Sequence, residues 1–119
     1  MDNEENIKPY DLEERTALFA EHSRDLVKRL PRTLGNIEDA KQFIRASGSV
    51  GANYIEANES IGKKDFLMKI KTCRREAKES RYWLRLLAVD GELEQQRQRL
   101  SAEAQELMNI FGAILHKCE

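Results

Sequence analysis

The chain has 119 residues and a formal net charge of −1, with 40% hydrophobic, 34% charged and 7% aromatic residues. Such a length suits one domain with a workable core, and the few aromatic, proline and glycine residues favour helices over a β-sandwich. No apolar run approaches the roughly 20 residues of a membrane span and the start MDNEEN lacks the pattern of a secretory signal, so we expect a cytoplasmic protein outside any membrane.

Four helical segments with short breaks account for almost the whole chain. The first follows a tail, residues 1–10, that we expect to be flexible, and residues 11–119 form a single domain. Because short connections require neighbouring helices to run antiparallel, we predict an all-α, antiparallel up-and-down four-helix bundle. The breaks between the segments are Pro31, the Leu34-Gly35-Asn36 turn, Gly62 and the Asp90-Gly91 pair.

Apolar and small residues recur at three- and four-residue steps in every segment, and they define the face that each helix turns to the core. The first two segments place there Leu12, Thr16, Phe19, Ser23, Leu26 and Leu30, then Phe43, Ser47, Val50, Tyr54, Ala57 and Ile61. The last two place there Phe66, Ile70, Cys73, Ala77, Ser80, Leu84 and Leu87, then Leu93, Leu100, Ala104, Leu107, Phe111, Ile114 and Cys118.

The second segment differs from an ordinary surface helix. Between Gln42 and Ile61 it is charged only at Arg45, Glu56 and Glu59. A surface helix should show one polar face, whereas this one is apolar or small nearly all the way round. Such a helix needs cover on more than one side, so we expect copies of the chain to form a homo-oligomer.

A row of small residues with four-residue spacing lies beside the inward stripe of this helix. Small residues at that spacing let another backbone approach closely. Glycine within a helix costs roughly 0.5–1 kcal/mol relative to alanine, so the row needs a packing reason, either within one chain or at a seam between subunits. The only tryptophan, Trp83, likewise extends the core or anchors that seam. The candidate interface residues are Ser47, Gly48, Gly51, Ala52, Ile55 and Trp83.

Two stretches, QFIRASGSVGANYIEA and DFLMKIKTCRREAKESRYWLRLL, resemble the helix-two and helix-three signature of bacterial proteins encoded by intervening sequences in 23S rRNA genes. The resemblance implies an up-and-down four-helix bundle that assembles into a ring, commonly a pentamer, without established enzyme activity. Relatives in retroelements are strongly basic accessory factors of reverse transcriptase that bind nucleic acid; this chain is not basic overall. The most specific matching parts are Arg45-Ala46-Ser47, Asn53, Glu56-Ala57, Asp65-Phe66, Glu76-Ala77-Lys78-Glu79 and Tyr82-Trp83-Leu84.

Charge is unevenly placed along the chain. From Lys63 to Arg85 there are nine basic and three acidic residues, a local +6 that leaves −7 for the remainder. Four of the basic residues have a helical spacing that aligns them on one outward strip, where they would contact phosphates without reading bases. The alternative is a solvated face balanced by acids on neighbouring helices. The candidate nucleic-acid-binding residues are Lys64, Lys71, Arg75 and Lys78.

Five polar residues lie near rows that should face other helices: Arg45, Asn53, Glu56, Arg74 and Glu79. A partly buried charge needs a partner, so we expect these residues to pair with each other as structural contacts. The functional alternative is a catalytic carboxylate set, which is much rarer at helix contacts.

The histidines and cysteines predict neither a cofactor nor a metal. His22 and His116 would be offset by about eight residues in an antiparallel pair, roughly 12 Å at 1.5 Å per residue. Neither histidine follows a glutamate at the spacing that a di-iron bundle needs. Cys73 and Cys118 are mismatched in the same way, so a disulfide would require a large distortion.

These patterns predict a non-enzymatic, oligomeric scaffold or accessory protein that engages RNA or an RNA-handling protein through the strip on the third helix. In a ring, a strip repeated on every subunit would gain from multivalency. A protein-binding module without nucleic acid would instead use an exposed apolar patch. An enzyme with a pocket between subunits would need a deep cleft with converging ionisable groups.

Overall fold

A computed structural model describes residues 9–118 of the chain. Successive helices pack against each other, and the first also packs on the last, which confirms the predicted four-helix bundle. The predicted tail, residues 1–10, lies outside the described residues except for Pro9 and Tyr10, which open the first helix. The helices are α1 (Pro9–Lys28), α2 (Leu34–Asn58), α3 (Lys63–Leu86) and α4 (Gly91–Cys118).

Local signals explain where the helices begin and end. The predicted turn at Leu34-Gly35-Asn36 was wrong, because these residues open α2, which the Thr33 hydroxyl caps by accepting a hydrogen bond from the Asn36 amide at 3.1 Å. Gly62, the residue before α3, has φ of 91°, a left-handed conformation that glycine adopts without a steric penalty. Because α2 ends at Asn58, Ile61 lies beyond the helix and is 94% exposed. The predicted inward position of Ile61 was therefore wrong.

The other predicted stripes meet in one core. Most of their members are buried, and Leu30, Phe66 and Ile114 pack on its edge. In α4 the core also includes Ile110 and Leu115, because its inward face drifts around the helix and leaves Cys118 half-buried.

One set of polar contacts joins two loops at one end of the bundle, and another joins α1 to α4. The buried Asn36 side chain joins the two loops at one end of the bundle: its Nδ2 donates to the carbonyls of Pro31 and Ala88, and its Oδ1 accepts from the Ala88 amide. Arg15 of α1 forms a bidentate ion pair with Glu103 of α4 at 2.7 and 2.8 Å. The hydrogen bonds that Arg15 donates to Glu103 raise the pKa of the guanidinium above its ordinary value.

Candidate nucleic-acid interface

The groove between α3 and α4 concentrates positive charge. It contains two cavities of about 490 and 590 Å³, which adjoin because Lys78 and Met108 line both. We call it the basic groove. Among residues 11–118, its lining includes seven cations and no aspartate or glutamate. The lining residues are Lys71, Arg74, Arg75, Lys78, Arg81, Tyr82, Leu84, Arg85, Arg97, Gln98, Ser101, Met108, Asn109 and Gly112.

The two walls of the basic groove differ in chemistry. The α3 wall supplies six of the cations, together with the aromatic ring of Tyr82. The α4 wall is mostly uncharged, with amide, hydroxyl and thioether groups from Gln98, Asn109, Ser101 and Met108. One wall can therefore hold negative charge while the other offers neutral hydrogen-bonding groups.

The acids of α4 lie outside the lining of the basic groove, although one of them pairs with a groove cation. Glu103 and Glu106 point to the opposite side of α4, where both bind Arg15 of α1. Glu94 forms an ion pair with Arg97, whose Nη1 also donates to the Leu87 carbonyl at 2.9 Å. The balancing acids that a merely solvated basic face would need on α4 therefore do not line this groove.

A third cavity, between α1 and α4, provides a contrast. Its lining mixes His22, Arg29 and Arg99 with the acids Asp25, Glu92 and Glu103. Charges of both signs lie within one cavity there, so that surface has no comparable preference for an anion.

The basic groove contains three of the four predicted phosphate contacts: Lys71, Arg75 and Lys78. Lys64 is exposed in the first turn of α3 and lies outside both linings. The sequence analysis missed further members of the set. Helical spacing from the predicted strip could have identified those on α3, but not the one on α4. The missed residues are Arg74, Arg81, Tyr82 and Arg85 of α3 and Arg97 of α4.

The opposite flank of α3, which we call the α2–α3 seam, pairs its charges. Arg45 of α2 reaches two carboxylates of α3, with Nη2 at 3.3 Å from Glu79 Oε1 and 3.6 Å from Glu76 Oε1. Glu56 binds Lys69 at 2.9 Å and raises the pKa of that lysine. This flank is an electrostatic contact between two helices.

Glu76 is the member of the seam that the sequence analysis missed as a pairing residue. Its side chain is 8% exposed, and Oε1 has no hydrogen-bond partner among the described residues. Arg75 reaches its other oxygen at 3.8 Å. The carboxylate thus has ionic neighbours but lacks the hydrogen bonds that normally accompany burial.

Three predicted pairings need correction. Glu56 binds Lys69, which lies outside the predicted set. Asn53 donates its side-chain amide to the Ser49 carbonyl of its own helix at 2.8 Å, rather than to a neighbouring helix. Arg74 faces the basic groove beside Gly112, and within residues 11–118 it has no ion pair. The reason is rotation: Arg74 lies on the α4 side of α3, whereas Arg45 and Glu56 contact its α2 side.

The row of small residues on α2 has a packing reason within the chain. Ser47 is completely buried, and a Cβ at Gly51 would lie 2.8 Å from Thr16 Oγ1 of α1. Gly48 similarly leaves room for the Arg24 guanidinium, 3.3 Å from where its Cβ would be. Tight packing within the monomer, the first of the two alternatives, therefore explains Ser47 and Gly51, and the subunit seam stays a prediction.

The remaining interface candidates are more accessible. Ala52 and Ile55 are exposed on α2. Trp83 is half-buried against the core, and its ring meets the Tyr82 ring edge-on at 5.2 Å.

Comparison with known proteins places the chain in a family. The family model for the 23S rRNA-intervening sequence protein matches residues 10–113. The chain belongs to this family. A crystal structure from the S23 ribosomal protein family of Bacteroides thetaiotaomicron, described as a protein with unknown function, is similar at 25% identity and a TM-score of 0.78. The match covers 92% of this chain and 99% of that one. None of the curated proteins compared with the chain matches it.

The signature that carries the family resemblance is divided between the α2–α3 seam and the basic groove. Its residues Arg45, Glu76 and Glu79 form the α2–α3 seam. Lys78 and Tyr82 of the same signature line the basic groove instead. The signature therefore combines residues that hold α2 to α3 with residues that remain available to a ligand.

Other kinds of site are not formed by the described part of the chain. Within it, no three histidine, cysteine, aspartate or glutamate side chains gather as a metal site would require. Cys73 and Cys118 are both free thiols. Across residues 9–118 no helix has the length and apolar character needed to cross a membrane.

Proposed function

We propose that this protein is a non-enzymatic accessory or scaffold protein of the cytoplasm that binds RNA through the basic groove. The supporting observation is the set of seven cations around two adjoining cavities whose described lining contains no carboxylate. Arginine and lysine bind phosphate oxygens by charge and hydrogen bonding, without selecting a base. A chain with net charge −1 can therefore present a local surface suited to a polyanion.

Binding of RNA in the basic groove should be moderate and salt-dependent. The groove cations lie on an open surface, where each phosphate contact releases bound counterions and weakens as salt increases. For a single strand the logarithm of the binding constant should fall with a slope of about −0.7 per neutralised phosphate. Each subunit would therefore bind weakly at physiological salt.

We further propose that the protein acts as a homo-oligomer, with the ring of five subunits that its family resemblance implies. Apolar side chains are exposed at both ends of α2: Leu34 at its start, and Ile55 with the following Ile61 near its end. Two different patches on one chain suit a heterologous contact, and such contacts close into rings when the rotation permits. A ring would repeat the basic groove and strengthen binding through effective concentration.

Fluorescence anisotropy tests the RNA proposal. We expect a labelled single-stranded 12-mer to bind at about 50 mM salt and to dissociate progressively toward about 200 mM. The combined variant Lys71→Gln, Arg75→Gln and Lys78→Gln should reduce affinity at least tenfold and lower the salt slope by about 2. A matched control with the same charge change, Lys28→Gln, Arg32→Gln and Lys41→Gln, removes exposed cations outside the basic groove.

Two results would overturn the proposal. One is the absence of wild-type binding at about 50 mM salt. The other is an equal loss in the two triple variants, which would mean that net charge rather than the basic groove determines binding. Light scattering coupled to size exclusion, with and without the 12-mer, tests assembly: a monomer in both runs would remove the ring. A stable oligomer that ignores RNA would favour the protein-binding module.

A further inference from the structure

We infer that the basic groove selects single-stranded over double-stranded RNA by stacking a base on Tyr82, an inference that rests on the proposed function. Tyr82 is 55% exposed, although aromatic side chains of this size usually bury most of their surface. It lines the same cavity as Lys78, Arg81 and Arg85. An accessible aromatic face among cations is the combination that proteins use to hold single strands.

The ring of Tyr82 is held by its neighbours. Trp83 contacts it edge-on, with centroids 5.2 Å apart and an angle of 70° between the planes. Trp83 itself packs on the core. Contact with a half-buried tryptophan limits the positions of the Tyr82 ring, which lowers the entropic cost of stacking a base on it.

The two walls of the basic groove would contact different parts of a nucleotide. Phosphates would lie along the α3 wall, where Lys71, Arg75 and Lys78 are placed. A base stacked on Tyr82 of the α3 wall would turn its edge toward the α4 wall, where the Gln98 amide can donate and accept hydrogen bonds. Met108 offers a polarisable apolar surface between the two cavities.

A duplex does not fit this arrangement equally well. Its bases are already stacked and paired, so their faces are closed to Tyr82, and only its phosphates remain available to the α3 cations. From Lys71 to Arg85 the wall spans about 21 Å, which corresponds to about six stacked nucleotides of one strand. A short unpaired segment is therefore the ligand that uses both walls.

Binding of one 12-mer in two forms tests this inference: the single strand, and the same strand annealed to its complement. The wild type should bind the single strand more tightly. Tyr82→Ala should weaken single-strand binding by about 5- to 150-fold, the range expected for losing one stacked base, and leave duplex binding unchanged. Tyr82→Phe keeps the aromatic face and should bind like the wild type.

Tyr82→Leu separates stacking from packing, because it keeps apolar bulk on α3 without a π face. We expect it to lose single-strand affinity as Tyr82→Ala does, with an unchanged salt slope, since the phosphate contacts remain. Wild-type affinity for Tyr82→Leu, an equal loss for duplex RNA, or tighter wild-type binding of the duplex would overturn the inference and leave the proposed function standing. Failure of the wild type to bind either form would instead overturn the proposed function.

Discussion

The α2–α3 seam and the basic groove differ in how far their charged side chains are paired. On the α2–α3 seam, Arg45 is shared by Glu76 and Glu79, and Glu56 binds Lys69. In the basic groove, seven cations gather without a carboxylate in the described lining. The excess positive charge of α3 is therefore not distributed evenly: Glu76 and Glu79 serve the contact with α2, while six of its nine cations line the α4 side.

This segregation has an energetic cost. Like charges on one face of a helix repel each other, and each close pair destabilises the helix by a few tenths of a kcal/mol. Pairing them with acids of α4 would remove that cost, yet Glu103 and Glu106 bind Arg15, and Glu94 compensates Arg97 alone. A surface that forgoes such compensation is better suited to a ligand than to stability.

The largest difference in the free energy of unfolding should be between substitutions of two asparagines, one buried where two loops meet and one exposed in the basic groove. Asn36→Ala removes three hydrogen bonds at a buried position and takes the Asn36 partner away from both the amide and the carbonyl of Ala88. We expect the free energy of unfolding to fall by about 3 kcal/mol, measured by urea titration. Asn109→Ala in the exposed groove is the control, with an expected change within about 0.5 kcal/mol. Equal effects would contradict the comparison.

The pH dependence of stability tests how well the core keeps water from two buried groups, Cys73 and Tyr54. Burial raises the pKa of the Cys73 thiol from 9.0 to about 12, and it also raises the pKa of Tyr54. Because both groups stay protonated longer in the folded state, the contribution of Cys73 is complete below pH 9.0 and is lost as pH rises toward about 12. The contribution of Tyr54 is lost in the same direction, above its ordinary pKa of 10.0. Stability should fall by at most about 1.4 kcal/mol per pH unit for each group.

Urea unfolding at about pH 8 and about pH 10.5 measures this slope. The Cys73→Ala variant should show a flatter decline than the wild type, whereas Cys118→Ala, at the half-buried thiol, should keep the wild-type decline. Identical profiles for the two variants would mean that the core thiol does not resist ionisation.

Two glycines extend the comparison, because replacing each with alanine should change the stability of the protein in opposite directions. At Gly51 a Cβ would lie 2.8 Å from Thr16 Oγ1 and 3.2 Å from Thr16 Cβ, so Gly51→Ala must displace α1. We expect a net loss of about 1 kcal/mol after the gain in helix propensity. At Gly112, beside the open groove, the nearest atom is Arg74 Nη1 at 3.8 Å, so Gly112→Ala should stabilise by about 0.5–1 kcal/mol. Thermal unfolding of both variants checks the signs.

The smallest effect concerns the incompletely satisfied carboxylate on the α2–α3 seam. Glu76→Met replaces it with an apolar side chain of similar size, while Arg45 keeps its contact with Glu79. We expect stabilisation by up to about 1 kcal/mol, because the desolvation cost of the carboxylate disappears. Glu79→Met, at a more exposed position, should change stability by less than about 0.5 kcal/mol. Destabilisation by Glu76→Met would show that the buried pair is worth more than its desolvation costs.

Periodicity predicted the core because helical spacing is a local property. The stripe from Leu12 to Leu26 is buried in α1, and the stripe from Ile70 to Leu84 is buried in α3. The exception, Ile61, came from taking Gly62 as the end of α2, although the helix ends at Asn58. Neighbours in sequence determine propensity and caps, but not how many residues a turn needs to reverse the chain.

The candidate site was predictable in part. Lys71, Arg75 and Lys78 follow from spacing on one helix, and the structure places them in the basic groove. Arg97 belongs to a different helix, so its membership depends on how α4 is rotated against α3. The small residues of α2 could not be interpreted from spacing alone, because that spacing fits a subunit seam and an internal contact equally well. The structure shows an internal contact at Gly51, which packs against Thr16 of α1.

The amino-acid sequence by itself determined four helices, their antiparallel order and most of the residues that fill the core, since these follow from chain-local periodicity and turn chemistry. Only the tertiary structure decided which flank of each helix meets which neighbour. That choice depends on packing between distant segments, where Gly51 admits Thr16 and Arg45 lies between Glu76 and Glu79. The pairing of α3 acids with α2, and hence the open basic groove beside α4, results from that packing.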